Sequence, residues 1–134
     1  MEFRAYDLPV NSDERGNLVA VENLNDIPFL VKRVFYVYGN IDSLPRAGHA
    51  NTDSEEACIC LTGSCRVYLN DGAREEVFSM DKPTRILYIP KNVWVEITDF
   101  IGGCILLVLA SENYNKDGYI DDFKVFMEFK RLIR

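Results

Sequence analysis

Between residues 17 and 110, short apolar or alternating runs recur at close spacing, each bounded by turn residues. Such spacing specifies an all-β sandwich or barrel rather than βαβ units. About eight runs read as strands: Asn17–Glu22, Val31–Tyr38, Ala57–Leu61, Ser64–Asn70, Glu75–Met80, Arg85–Ile89, Val93–Thr98 and Cys104–Ala110. Within VKRVFYVY, strand alternation sends Arg33, Phe35 and Val37 to one face and Lys32, Val34, Tyr36 and Tyr38 to the other. Asn70-Asp71-Gly72 predicts a hairpin, because these residue types tolerate the positive φ that tight turns need. After Ala110 the pattern changes. SENYNKDGYI is a polar connector, and DDFKVFMEFKRLIR has acids first, basics last and one apolar face, which predicts a short C-terminal helix.

The chain has 134 residues, and 48% of them are apolar, enough for one continuous core, so a single domain over residues 1–134 is expected. A net charge of -6 without a basic cluster argues against bulk nucleic acid as a partner. A small anionic ligand would need only two or three well-placed arginines. The opening MEFRAYDLP lacks the apolar region of a signal peptide, and no apolar run approaches a bilayer span; a cytoplasmic protein without a membrane partner is expected. Cys58, Cys60, Cys65 and Cys104 lie inside apolar runs rather than in CxxC pairs, and read as buried thiols, not as disulfide or zinc ligands.

The chain's only histidine, His49, lies in PRAGHANTDSEEACICLTGS. This stretch keeps the spacing of the first metal motif of cupin barrels, with His49, Asn51, Glu56 and Gly63 at the corresponding positions. The second motif keeps Pro90 but places Val95 where the last ligand would stand. Only His49 and Glu56 retain donor side chains, and a neutral amide and a valine cannot complete a transition-metal site, so no metal is expected here. An all-β cupin jelly-roll barrel with its pocket put to metal-free use, and no cofactor, is the resulting expectation.

A lone imidazole titrates near neutrality and can move a proton next to a ketone. Burial would lower its pKa, and a neighbouring Glu56 would raise it and orient the ring. A histidine simply satisfied on a strand is the alternative. Arg33, Arg46 and Arg66 could converge on a pyrophosphate through forked hydrogen bonds, or could be surface charge. Tyr36, Tyr38, Tyr88 and Trp94 could offer a flat face to a base or sugar, with core packing as the competing role and Trp94 the candidate nearest the second motif.

The ordered set ERGNLVAVE, IPFLVKRVFYVY, PRAGHA, CLTGSCRVYLNDG, YIPKNVW, LLVLASENY and GYIDDF resembles the dTDP-4-keto-6-deoxyglucose 3,4-ketoisomerases, the WxcM-like sugar isomerases of the cupin superfamily. The resemblance implies a homodimer with exchanged N-terminal strands and a metal-independent reaction on a dTDP-linked keto sugar. In that reaction a base removes the C3 proton, an enediol forms and C4 is reprotonated, in a route to deoxyamino sugars of bacterial surface polysaccharides. It matches His49 to the base or shuttle and sets Arg33 and Arg46 toward the pyrophosphate with Tyr36 beside them; Tyr36 and Glu56 are the candidates for a second proton carrier, and Asn51, Arg66 and Trp94 are further candidates for holding the substrate. The family's second histidine is Asn51 here, its following lysine is Thr52 and its usual glutamine is Glu56. The alternative to a working isomerase is therefore a nucleotide-sugar binding cupin that has lost its second proton carrier.

Overall fold

The computed structural model describes residues 1–41 and 44–133. The chain runs through β1 (Arg4–Asp7), β2 (Asn11–Asp13), β3 (Gly16–Leu18), β4 (Arg33–Val37), β5 (Arg46–Asn51), β6 (Glu56–Asn70), β7 (Glu75–Met80), β8 (Arg85–Ile89) and β9 (Trp94–Ala110). A 3-10 turn over Lys116–Gly118, the short β10 (Tyr119–Ile120) and helix α1 (Phe123–Leu132) follow.

Two long strands organise everything else. β6 and β9, of 15 and 17 residues, pair antiparallel from Glu56↔Ala110 to Asn70↔Trp94. Their register slips three times between Cys60 and Arg66, where Gly63, Gly102 and Gly103 take φ near +67° to +68°. Each slip adds a bulge, and bulges bend a ribbon and reset which residues face inward. The two halves of the ribbon therefore enter two different sheets. One half, Glu56–Ile59 with Leu106–Ala110, carries β8 and β1 on one side and β4 on the other. The second half carries β7 on one side and β5 with β10 on the other.

Inward side chains of both halves meet in one core: Cys58, Leu87, Leu106 and Val108 from the first sheet pack with Val67, Leu69 and Val95 from the second. Two further layers close the outer faces. Leu8, Ile27 and Phe29 cover Ala57, Ile59, Ile86 and Tyr88 on the first sheet. On the second, α1 lays the fully buried Phe126 over Ala50 and Trp94. Asp122 caps this helix by accepting from Val125 N–H at 3.1 Å, with Lys130 and Arg131 in its last turn, an arrangement that suits the helix dipole. Arg134 of the expected helix lies outside the described residues.

The all-β jelly roll and its C-terminal helix follow the sequence expectation, with four differences. Ala57–Leu61 and Ser64–Asn70 are one strand, as are Val93–Thr98 and Cys104–Ala110, because Gly63 and Gly102-Gly103 form bulges rather than turns. Arg46–Asn51, Arg4–Asp7, Asn11–Asp13 and Tyr119–Ile120 are strands that apolar alternation does not mark. In Asn17–Glu22 only Asn17 and Leu18 pair; Val19 and Val21 instead pack on the first sheet's outer face without joining it. The Val31–Tyr38 run narrows to Arg33–Val37.

The bend has a sharp steric requirement. A Cβ on Gly63 would stand 2.3 Å from Ile101 O and 2.8 Å from Cys104 N, whereas one on Gly103 would meet nothing within 4 Å. Gly103→Ala should thus cost only the left-handed backbone penalty, about 1 kcal/mol. Gly63→Ala adds a backbone collision and should cost about 3 kcal/mol. Urea unfolding of the two variants checks this, and equal losses would contradict the steric account.

Candidate active site

A cavity of about 360 Å³ opens between the two sheets. Its polar lining is Arg33, Arg46, His49 and Glu56, with Tyr114 and Tyr119 at one side. Apolar side chains, among them Phe35, Val95 and Val108, form the rest of its wall. This volume and mixture are those of a small-molecule site.

His49 and Arg46 share the cavity because β5 is irregular. Arg46 pairs with Ile97, Ala47 with Glu96 and His49 with Val95, so Gly48 is the extra residue of a bulge. Plain alternation would put residues 46 and 49 on opposite faces. The bulge, built from Ala47 at φ 67° and Gly48 at φ 75°, returns both side chains to the interior. Burial depresses the His49 pKa below its ordinary 6.5, with the negative charge of Asp121 pulling it partly back. The imidazole is thereby neutral at pH 7 and free to accept a proton. The Tyr119 ring stands edge-on to the imidazole at a centroid distance of 4.7 Å. β10 puts it there: Tyr119 pairs with Asn51 and Ile120 with Ala50, and the register carried one step further sets Asp121 opposite His49.

Glu56 and Arg33 come from the other sheet. Both sit opposite Ala110, Arg33 on one side of β9 and Glu56 on the other, so they share one cross-strand row. Burial pushes the Glu56 carboxyl up to about 7, against the opposing pull of the Arg33 guanidinium. A carboxyl poised there can give or take a proton near neutrality. The Arg33 guanidinium lies 4.7 Å from the Phe35 ring centroid and 5.5 Å from that of Tyr114. Its Nε is buried with no hydrogen-bond partner among the described residues. A buried guanidinium N–H left unpaired is costly, and a ligand oxygen is the kind of partner that would satisfy it.

Four residues expected at the site stand elsewhere. Tyr36 is on the outward face of β4, 62% exposed beside Tyr38, because alternation opposes it to Arg33 and Phe35. Arg66 points outward between the inward Cys65 and Val67, and pairs with Asp99 at 3.7 Å. Trp94 also faces outward, beneath α1, with its ring near Phe123 and Phe126 and its Nε1–H donating to Glu96 at 2.7 Å. Asn51 is buried, but its Oδ1 accepts from the backbone N–H groups of Asp53 and Ser54 at 3.1 and 3.0 Å, so the amide holds the turn between β5 and β6. Tyr88, likewise outward, donates to Glu55 at 2.5 Å. The charge acting on His49 belongs to Asp121 rather than Glu56. Tyr114, Tyr119 and Asp121 were not anticipated. Tyr119 and Asp121 belong to the GYIDDF segment, whose two-residue strand is too short for periodicity to reveal, and Tyr114 lies in the polar connector before it.

Of the four cupin metal positions, only His49 and Glu56 present donors to the cavity; Val95 is an apolar wall and the Asn51 oxygen is engaged by the turn. Two such donors do not fit a transition metal.

A jelly roll whose inter-sheet cavity keeps two positions of a dismantled metal motif is a cupin-class small-molecule site. The particular family follows from comparison: the chain belongs to the FdtA family, described as WxcM-like, C-terminal, which matches residues 1–131. A TDP-4-oxo-6-deoxy-alpha-D-glucose-3,4-oxoisomerase from Aneurinibacillus thermoaerophilus is 38% identical over 129 residues, 96% of this chain and 93% of the relative. The crystal structure of a 3,4-ketoisomerase from Helicobacter canadensis superposes with a TM-score of 0.93 at 38% identity, covering 98% of both chains. A histidine-to-asparagine mutant of the 3,4-ketoisomerase QdtA from Thermoanaerobacterium thermosaccharolyticum, in complex with TDP-4-keto-6-deoxyglucose, superposes at 0.93 with 31% identity over 98% of this chain and 95% of that one.

The Glu56 carboxyl makes a signed prediction for stability. In the unfolded chain it loses its proton near 4.5, and in the fold near 7, so the folded state binds more protons between those values and stability falls as pH rises through them. Glu56→Gln, neutral throughout, should be more stable than the parent by about 3 kcal/mol above pH 7, with the difference closing below pH 4.5. Urea denaturation across that range measures it.

Proposed function

We propose that this protein is a nucleotide-sugar 3,4-ketoisomerase that converts a TDP-linked 4-keto-6-deoxyglucose to its 3-keto isomer. The carrying observation is one cavity that holds a neutral imidazole, a carboxyl titrating near neutrality and a buried guanidinium N–H without a partner among the described residues. The relatives' activities, and the keto sugar bound to the QdtA mutant, name the substrate class. Neutral His49 takes the C3 proton, and the electron pair of that C–H bond forms the C3–C4 double bond as charge moves to the C4 oxygen. The Arg33 Nε–H stabilises that enediolate oxygen. A proton passes from the C3 oxygen to the C4 oxygen in the resulting enediol. When the C3 carbonyl forms, C4 takes a proton from the Glu56 carboxyl; His49 then releases the C3 proton to water and the Glu56 carboxylate regains one from water, which restores the starting state. The two carriers stand on different sheets, so the family's second histidine is replaced by a carboxyl rather than by the Asn51 amide. The cavity takes the sugar, and Arg46 at its exposed rim takes the diphosphate.

The active form is a homodimer. Hairpin β2–β3 is exposed at every strand residue, and β4, an edge strand, shows Val34 and Tyr36 to solvent, with the exposed Tyr38 just past its end. β1 pairs with β8 of its own chain, which supports the hairpin rather than β1 as the exchanged segment. The reaction belongs to the cytoplasm, where nucleotide sugars are made, and no described helix is long and apolar enough to cross a membrane.

Incubation with dTDP-4-keto-6-deoxyglucose in D2O, followed by proton NMR, tests the assignment. The expected result is deuterium at the carbon positions exchanged and a 3-keto product, with rates falling at least 100-fold in His49→Asn and in Glu56→Gln. Binding without exchange or product in the parent protein would show a binding cupin instead.

A further inference from the structure

Outside the cavity, the sulfurs of Cys60, Cys65 and Cys104 all lie within 4.8 Å of one another. The Cys60 and Cys104 sulfurs are 3.6 Å apart. All three residues are buried, at 0%, 2% and 3% exposure. Alternation alone would turn residues 60 and 65 to opposite faces. They point the same way because the β6–β9 register slips between them, so the bend that divides the ribbon also gathers the thiols. Cys58 lines the active-site cavity and is not part of the group.

We propose that Cys60, Cys65 and Cys104 form a site for one soft or borderline divalent cation of the zinc and cadmium class, clamping β6 to β9 at their bend. Zinc–thiolate bonds of about 2.3 Å set sulfur–sulfur separations of roughly 3.8 to 4.0 Å in tetrahedral or trigonal geometry. The observed cluster needs only small side-chain rotations to reach them. The Thr62 carbonyl oxygen, 3.2 Å from the Cys60 sulfur, stands beside the group as a fourth donor. Each thiol releases its proton to water as its sulfur binds the cation. Gly102 and Gly103, exposed and without side chains, flank the cluster and give a cation a way in.

The test uses reduced protein, stripped with a chelator and titrated with cadmium chloride. The expected result is a thiolate-to-cadmium ultraviolet band that saturates at one cation per chain, with a rise in Tm on saturation. Cys104→Ser and, as a second variant, Cys65→Ala should each weaken cadmium binding at least tenfold, while Cys58→Ser leaves it unchanged. Absence of the band in the parent protein would overturn the proposal, as would a band that keeps its affinity in both cluster variants.

Discussion

The antiparallel pairing of β6 with β9 is the constraint on which the rest of the structure depends. The two strands run together along almost their whole length, so both contribute to both sheets. The slips at Gly63, Gly102 and Gly103 then decide the architecture. Before the bend the even-numbered residues of β6 face the core, and after it the odd-numbered ones do. A ribbon without bulges would keep one parity throughout and could not bury Cys58 and Val67 in the same interior.

A second change of phase builds the site. The β5 bulge costs backbone strain at Ala47, a non-glycine residue held at positive φ, and strain of this kind tends to persist where function requires it. It brings Arg46 and His49 to one face, while the row Arg33–Ala110–Glu56 supplies the facing wall. The same burial that lowers the imidazole pKa raises that of the carboxyl, so one environment favours the neutral form of both groups. β10 completes the arrangement by setting Tyr119 against His49 and by bringing a carboxylate, Asp121, within electrostatic reach.

Much of the fold was legible because Glu75–Met80, Arg85–Ile89 and the outer halves of β6 and β9 are short apolar or alternating runs bounded by turn residues. The same alternation placed Arg33 and Phe35 together on one face, and the structure has both on the cavity. It also opposes Tyr36 to Arg33, and Arg66 and Trp94 to their inward neighbours, so their outward positions were readable from parity alone. What was not legible depends on backbone irregularity. A glycine in a strand reads the same whether it turns the chain or bulges it, and PRAGHAN shows no alternation because its strand changes phase midway. Asn51 looked like a missing proton carrier; its oxygen instead closes a turn with two backbone N–H groups, a task that depends on an acceptor a histidine could not supply in the same way.

The central claim is that the β5 bulge holds His49 inward as a neutral imidazole. Since the chain has one histidine, its ring protons can be followed by NMR without ambiguity during a pH titration. The account predicts a midpoint below the ordinary 6.5, falling further when Asp121→Asn removes the charge that opposes burial. A midpoint at or above 6.5, unchanged in that variant, would contradict it.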